Sequence, residues 1–168
     1  MTATFLLGGA RSGKSRHAVR LAQQMAENPL LIATAVAGDG EMRQRIARHR
    51  EERGARWRVV EAPLDLAEAI AGLEADAVAV VDCLTLWLSN LLHERRDAGE
   101  ESSRLLAAID ASPARLILVS NEVGLGIVPA TPLGRSFRDE QGRLNQRVAE
   151  VADRVILLAA GLPLVLKP

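Results

Sequence analysis

Cysteine, aromatic residues and lysine are all scarce in this chain of 168 residues. The single cysteine, Cys83, excludes a disulfide within the chain and fits a reducing cytoplasm, where we expect the protein to reside. The aromatic residues are two tryptophans and two phenylalanines, and the formal net charge is zero. Because base stacking and a general positive field are both weak in such a chain, we expect no nucleic-acid partner.

A long hydrophobic run is also missing. The longest apolar stretch, residues 155–166, is interrupted by Gly161 and Pro163 and is too short to span a bilayer. The first residues are apolar only briefly before a pair of glycines, which is unlike a signal peptide. We therefore expect no stable membrane insertion, and the length is typical of one domain covering residues 1–168.

Strand-like and helix-like segments alternate along the chain. The predicted strands are residues 3–7, 29–35, 57–60, 76–82, 115–120, 154–158 and 162–166. The predicted helices are residues 14–26, 42–53, 64–73 (with Pro63 near its start), 84–96, 102–109 and 136–152. This order predicts an α/β fold with a mainly parallel sheet, helices on both faces, and a C-terminal hairpin that adds an antiparallel edge.

Residues 8–15, GGARSGKS, match the phosphate-loop pattern G-x-x-x-x-G-K-[ST] at every fixed position. Glycines let the backbone curl so that several N–H groups converge on one anion, and the following helix adds its positive N-terminal end. Lys14 is one of only two lysines, and we expect it at the surface, reaching the β- and γ-phosphates, while Ser15 holds Mg²⁺. A plain glycine turn is the alternative, but the preceding strand and following helix favour the phosphate loop.

Two carboxylates follow buried strands. Asp82 ends the apolar run 77–81 and is placed to assist Ser15 in holding Mg²⁺, although it could instead cap the next helix. Glu122 follows the next apolar strand and falls on the same edge of the sheet, although it could instead be a loop carboxylate that faces water.

His49 lies in an unusually arginine-rich segment, with arginines at positions 43, 45, 48, 50, 53, 56 and 58. Like charges at helical spacing repel one another, and an anionic ligand would relieve that repulsion. The same cations disfavour protonation of His49, which keeps an imidazole nitrogen free to attack phosphorus. A simply exposed histidine is the alternative, and His17 and His93 have weaker claims to a catalytic role.

Four segments together resemble the bifunctional adenosylcobinamide kinase/adenosylcobinamide-phosphate guanylyltransferase family. They are GGARSGKSRHA, RIARHREERGARWRVVEAP, VVDCLTLWLSNLL, and VSNEVGLGIVP followed by FRDEQGRLNQRVAEVAD. The resemblance runs from residue 3 to residue 166 without a long insertion. One departure is Gly54, where this family often has a proline after the arginine of the histidine segment; Asp82 keeps a carboxylate at a position that is Asp or Glu.

The resemblance implies a recombinase-like P-loop fold, a homotrimer, and two reactions of cobalamin biosynthesis. The first phosphorylates the aminopropanol hydroxyl of adenosylcobinamide, a corrinoid, with ATP or GTP. The second transfers GMP from GTP through a GMP-histidine intermediate, which falls on His49, to give adenosylcobinamide-GDP. By position, the implied nucleotide contacts are Gly8, Gly9, Ala10, Arg11, Ser12, Gly13, Lys14, Ser15, Thr34, Ala35, Val36, Arg50, Glu51, Glu52, Arg53, Glu61 and Asp82.

Two other functions are compatible with parts of this pattern. A monofunctional P-loop kinase for another small alcohol explains the phosphate loop and Asp82 but leaves the His49 segment without a role. A nucleotide-dependent switch protein explains the phosphate loop alone and would transfer no group to a second substrate.

Overall fold

The computed structural model describes residues 2–36 and 56–168, which include seven strands and five helices. The strands are β1 (Thr2–Gly8), β2 (Leu30–Ala33), β3 (Arg58–Glu61), β4 (Val78–Asp82), β5 (Arg115–Val119), β6 (Arg154–Ala159) and β7 (Leu162–Lys167). The helices are α1 (Lys14–Met25), α2 (Leu66–Ala71), α3 (Leu84–His93), α4 (Ala98–Ala111) and α5 (Pro132–Val151). The predicted helix over residues 42–53 lies outside the described residues.

The strands form one sheet in the order β3-β2-β4-β5-β1-β6-β7. Strands β1 to β6 pair in parallel, and β7 pairs antiparallel with β6. The prediction of a mainly parallel sheet with an antiparallel C-terminal edge is therefore confirmed. Because β1 lies between β5 and β6, the segment that leaves its carboxyl end is flanked by the ends of two other strands.

Both faces of the sheet are covered by helices. Successive residues of β1 point to opposite faces, so that Leu6 joins one buried cluster while Phe5 joins the other. Helix α1 packs the small side chains of Ala18 and Ala22 into the first cluster. Helices α2 to α5 fill the second cluster, whose largest buried side chain is Trp87. The predicted two-sided arrangement of helices is confirmed.

Several predicted element ends were wrong. Helix α2 begins at Leu66 after the N-cap Asp65, rather than at residue 64 next to Pro63. The carbonyls of Pro63 and Leu64 instead accept hydrogen bonds from Asn90 Nδ2 (3.0 Å) and Trp87 Nε1 (2.7 Å), so tertiary contacts hold this turn outside the helix. Strand β2 is shorter than predicted and ends at Ala33, and α4 is longer, running over Ala98–Ala111.

Helix α5 also begins earlier than predicted, at Pro132 rather than at residue 136. The Thr131 side chain caps it by accepting from Gly134 N at 3.1 Å, and Pro132 takes the first helical position, where a missing N–H costs nothing. The segment between β5 and α5 is correspondingly shorter, residues 120–131.

Candidate functional site

The phosphate loop connects β1 to α1 and depends on backbone conformations with positive φ. Gly8 has φ 153°, Arg11 has φ 57°, and Gly13 has φ 96°. A Cβ atom on Gly8 would lie 2.4 Å from the Leu158 carbonyl oxygen and 2.7 Å from Ser12 Oγ. Glycine is therefore required at position 8 by the neighbouring strand as well as by φ.

The first turn of α1 is open to an anion. Its N-cap is Gly13, which has no side chain to satisfy the first N–H groups, and the first turn contains no acidic residue. Unpaired N–H groups and the positive end of the helix dipole favour a negatively charged group at this point. The Ser12 hydroxyl is buried and makes no hydrogen bond to the described protein atoms.

Lys14 is buried, which corrects the expectation that it is a surface lysine. Its side chain donates to the Gly8 carbonyl at 2.9 Å and to the Gly9 carbonyl at 2.7 Å, so that the ammonium lies across the loop. Because the loop curls over the start of α1, the residue is shielded from water although it opens the helix. An ammonium held against the loop can contact a phosphate that is bound by the backbone N–H groups of the same loop.

The loop is fixed by two contacts that were not predicted from the sequence. Gly161, in the turn between β6 and β7, donates from its backbone N–H to the Ser12 carbonyl at 3.0 Å. Glu122, after β5, donates from its backbone N–H to the Gly8 carbonyl at 3.0 Å. The turn at Gly161 and the segment at Glu122 therefore hold the loop from its two sides.

The predicted carboxylates lie along the same edge of the sheet as the loop. Asp82 ends β4, in register with Ala33 of β2 and Val119 of β5. Strand β5 separates β4 from β1, so about 10 Å lies between their axes. Glu61 ends β3, about 19 Å from β1, and is exposed.

The alternative role of Asp82 as a helix cap finds no support, because the N-cap residue of α3 is Cys83 and makes no side-chain capping bond. Burial, and next the charge of Asp82, raise the pKa of the Cys83 thiol. Glu122 is half-buried, and its Oε1 accepts from Gly124 N at 2.7 Å, which forms a turn within its own loop. This hydrogen bond is exposed, so it is compatible with a loop carboxylate that faces water as well as with a role at the site.

Thr34 has a structural role that sequence reasoning missed. Its buried hydroxyl donates to the Cys83 carbonyl and accepts from the Cys83 N–H, both at 2.8 Å. Its own carbonyl accepts from Asn90 Nδ2 at 2.8 Å. Thr34 therefore fastens the end of β2 to the turn after β4, and Ala35 and Val36 follow it with increasing exposure.

A buried polar network behind the loop was also missed. Ser120 Oγ donates to Asn145 Oδ1 at 2.8 Å, and Gln141 Nε2 donates to both of these oxygens, at 3.0 and 2.9 Å. Asn145 Nδ2 donates to the Asn121 carbonyl at 3.1 Å, while Thr85 Oγ1 accepts from the Asn121 N–H at 2.8 Å. The network fixes the backbone where the segment 120–131 begins. Its sequence signal is a pair of polar residues four apart on the apolar face of α5.

The histidines differ in how the structure describes them. His49, with Arg50, Glu51, Glu52 and Arg53, lies outside the described residues. His17 is half-buried on α1, and Arg20 donates to its Nδ1 at 3.1 Å. Burial, and then the charges of Arg20 and Arg154, lower the pKa of His17. Because a guanidinium can only donate, Nδ1 is the acceptor and the neutral ring carries its proton on Nε2. His93 ends α3 and is exposed.

Among residues 2–36 and 56–168, no group of three or more His, Cys, Asp or Glu side chains could hold a metal ion by itself. Enzymes of the P-loop type that use nucleotides generally need a divalent metal, bound largely through the phosphates of the substrate. In the same part of the chain, no helix is long and apolar enough to cross a membrane.

The glycine-lysine loop between β1 and α1, at the carboxyl edge of this sheet, defines a P-loop nucleotide-binding protein. Two solved structures share the fold. A protein of Pyrococcus horikoshii aligns with a TM-score of 0.57 and 9% identity, covering 99% of this chain and 86% of that one. The flagellar accessory protein FlaH from Methanocaldococcus jannaschii aligns with a TM-score of 0.54 and 13% identity, covering 99% and 78%.

The chain belongs to the cobinamide kinase/cobinamide phosphate guanyltransferase family, whose model matches residues 4–166. It is 52% identical to the bifunctional adenosylcobalamin biosynthesis protein CobP of Pseudomonas aeruginosa over 167 residues, 96% of this chain and 95% of that protein. It is 41% identical to the bifunctional adenosylcobalamin biosynthesis protein CobU of Salmonella typhimurium over 176 residues, 95% of this chain and 97% of that protein. The predicted family is confirmed, and with it the bifunctional role as a kinase and a guanylyltransferase of cobalamin biosynthesis.

Proposed function

We propose that this chain phosphorylates adenosylcobinamide with ATP or GTP at the described phosphate loop, and then transfers GMP to the product through His49. The observation that carries the first half is the buried Lys14 ammonium, held across a loop whose N–H groups are open to an anion. The second half is supported by the family match and by the arginines that surround His49 in the sequence.

In the kinase step, the loop and the first turn of α1 bind the phosphates, and Lys14 supplies positive charge at the β/γ bridge. The substrate hydroxyl attacks the γ-phosphorus and gives up its proton to water, the bond to the bridging oxygen breaks, and the nucleoside diphosphate leaves with that electron pair. The step needs no nucleophile from the enzyme, so the protein contributes position and charge.

The donor set on the sheet edge fits Mg²⁺ bound together with nucleotide. Ser15 offers a hydroxyl in the first turn of α1, and Asp82 offers a carboxylate at the end of β4. Two protein oxygens suit an ion that keeps several waters and takes its other ligands from phosphates. When bound, the ion supplies charge that neutralises the phosphates. Asp82 would help to hold the ion directly or through a water molecule.

In the guanylyl step, a neutral His49 nitrogen attacks the α-phosphorus of GTP and pyrophosphate leaves. A phosphate oxygen of adenosylcobinamide phosphate then attacks the phosphoramidate, and the histidine is released. Splitting one transfer into two displacements is the advantage of a covalent intermediate. Arg50 and Arg53 are placed in the sequence to stabilise charge on the α-phosphate in both steps.

The alternative nucleophile, His17, is poorly suited to this chemistry. Its Nδ1 lone pair accepts from Arg20, and its other nitrogen carries the proton. Attack on phosphorus would require the ring to break that hydrogen bond or to change tautomer.

GTP labelled in its α-phosphate tests the proposal, with the protein denatured and separated by electrophoresis. We expect label on the wild-type chain and on His17→Asn, and none on His49→Asn, while His49→Asn still phosphorylates adenosylcobinamide. The adduct should survive alkali and break in acid, since protonation makes imidazole a good leaving group. Label on His49→Asn would overturn the assignment of His49. A wild-type chain that phosphorylates adenosylcobinamide but takes no label would instead be a monofunctional kinase.

We also propose a cytoplasmic homotrimer that acts on this small corrinoid and its nucleotides without a nucleic-acid partner. The trimer comes from the family resemblance, and light scattering on the purified chain measures it directly.

A further inference from the structure

The segment between β5 and α5 exposes large apolar side chains. Leu125 is 87% exposed, Ile127 is 98% exposed, and Val128 is 59% exposed. We call these three residues the loop patch. Side chains exposed to this degree contribute almost nothing to the core, so packing among the described residues does not account for them.

The loop patch is held at a defined place next to the phosphate loop. At one end, the Glu122 N–H donates to the Gly8 carbonyl, and the network around Asn121 fixes the preceding residue. At the other end, Arg135 Nη1 donates to the carbonyls of Pro129 and Ala130, at 3.1 and 2.9 Å. Leu125 is three positions after Glu122 in the chain, which limits the distance between their Cα atoms to about 11 Å.

The segment that contains the loop patch is nearly uncharged, whereas a phosphate site needs positive charge. Residues 121–131 contain one charged residue, Glu122, and no basic residue. Such a surface suits a neutral, partly apolar molecule better than the nucleotide. Among the other exposed apolar side chains of the described residues, Val59 and Leu164 lie on the edge strands β3 and β7, whereas Leu133, 72% exposed, lies in the first turn of α5 directly after this segment.

We infer that the loop patch binds the corrin macrocycle of the cobinamide substrate. The inference rests on the proposed function. The corrin ring carries methyl groups and neutral amide arms, which match aliphatic side chains without charge. Its reacting hydroxyl must reach the γ-phosphate at the phosphate loop, and the loop patch is tied to that loop through Gly8. The ring binds the patch while the arm enters the phosphate site.

Steady-state kinetics of the kinase reaction, with full-length protein, test the inference. The variants are Leu125→Ser, Ile127→Ser and the double variant, and the matched control is Leu164→Ser, which alters an exposed leucine of β7. Losing one or two apolar contacts should raise the KM for adenosylcobinamide by about 5- to 30-fold. The KM for ATP, and labelling by α-labelled GTP in the absence of corrinoid, should remain at wild-type values. Leu125→Met should retain most of the affinity for the corrinoid.

An unchanged KM for adenosylcobinamide in the double variant would overturn the inference. An equal rise in the KM for ATP would overturn it too, because the loop would then act on the nucleotide site. If light scattering shows a changed oligomeric state while the KM for adenosylcobinamide stays the same, the patch is covered by a second copy of the chain. A wild-type chain that phosphorylates no corrinoid would instead refute the proposed function itself.

Discussion

The backbone of the phosphate loop makes a sharp prediction about Gly8. In Gly8→Ala, the new Cβ would lie 2.4 Å from the Leu158 carbonyl oxygen, a backbone atom of β6 that cannot rotate away. Positive φ adds about 1–3 kcal/mol of strain, and overpacking adds about 1–3 kcal/mol. We therefore expect Gly8→Ala to lower the free energy of unfolding by about 2–6 kcal/mol.

Urea denaturation measures this loss, and Gly9→Ala is its matched control. A Cβ on Gly9 meets no atom within 4 Å, so the same substitution one residue later should change stability by less than about 1 kcal/mol. With a denaturant slope of about 2 kcal/mol/M, the midpoint of Gly8→Ala should fall by about 1–3 M. Nucleotide affinity should fall with it, because the Gly8 carbonyl accepts from Lys14. Equal midpoints for the two variants would refute the steric argument.

Three further predictions concern single side chains. Lys14→Ala should lower the kcat/KM of the kinase by about 10²-fold or more, since one or two charge-assisted hydrogen bonds are lost; near-normal phosphorylation would remove Lys14 from the phosphate site. Asp82→Asn should raise the Mg²⁺ concentration needed for half-maximal activity, and an unchanged metal dependence would contradict its role. The pKa of His17 is lowered from 6.5 by burial and then by the charges of Arg20 and Arg154, so the unfolded chain binds that proton more readily. Wild-type stability should consequently fall as the pH drops below about 6.5, and His17→Asn should show a smaller fall in urea titrations at pH 5 and pH 7; identical pH dependence would show that His17 is not responsible.

The sheet was predictable because its signals are local. Apolar runs such as residues 77–81 indicate strands that are buried on both faces of the sheet. The helical stretches between these strands indicate that the strands pair in parallel. Element ends were less predictable, since tertiary contacts set them. Helix α2 starts late because the carbonyls before it bond to Trp87 and Asn90, which lie more than 20 residues away in the chain.

The candidate site likewise contains features that were predictable from the local sequence and features that were not. The motif at residues 8–15 and the strand-end position of Asp82 are local patterns, and both were found from the sequence. The burial of Lys14 was predicted wrongly, because a glycine-rich loop gives no sign that it folds over the helix start. The support from Gly161 was missed because it joins residues about 150 positions apart, and only the assembled sheet brings β6 beside β1.

Helix α5 combines a feature that the sequence predicts with contacts that only the structure shows. Its buried face contains Leu144 and Val148, as an amphipathic pattern requires, but it also contains Gln141 and Asn145. Buried amides are costly unless they are hydrogen-bonded, so their position on the apolar face implies polar partners at the end of a neighbouring strand. The partners of Asn145 and of Gln141 Nε2 include Ser120 and the Asn121 carbonyl, while Gln141 Oε1 makes no hydrogen bond to the described residues. Because the next residue donates to the Gly8 carbonyl, the same amides that satisfy the end of β5 also set where the phosphate loop meets the exposed apolar segment beside it.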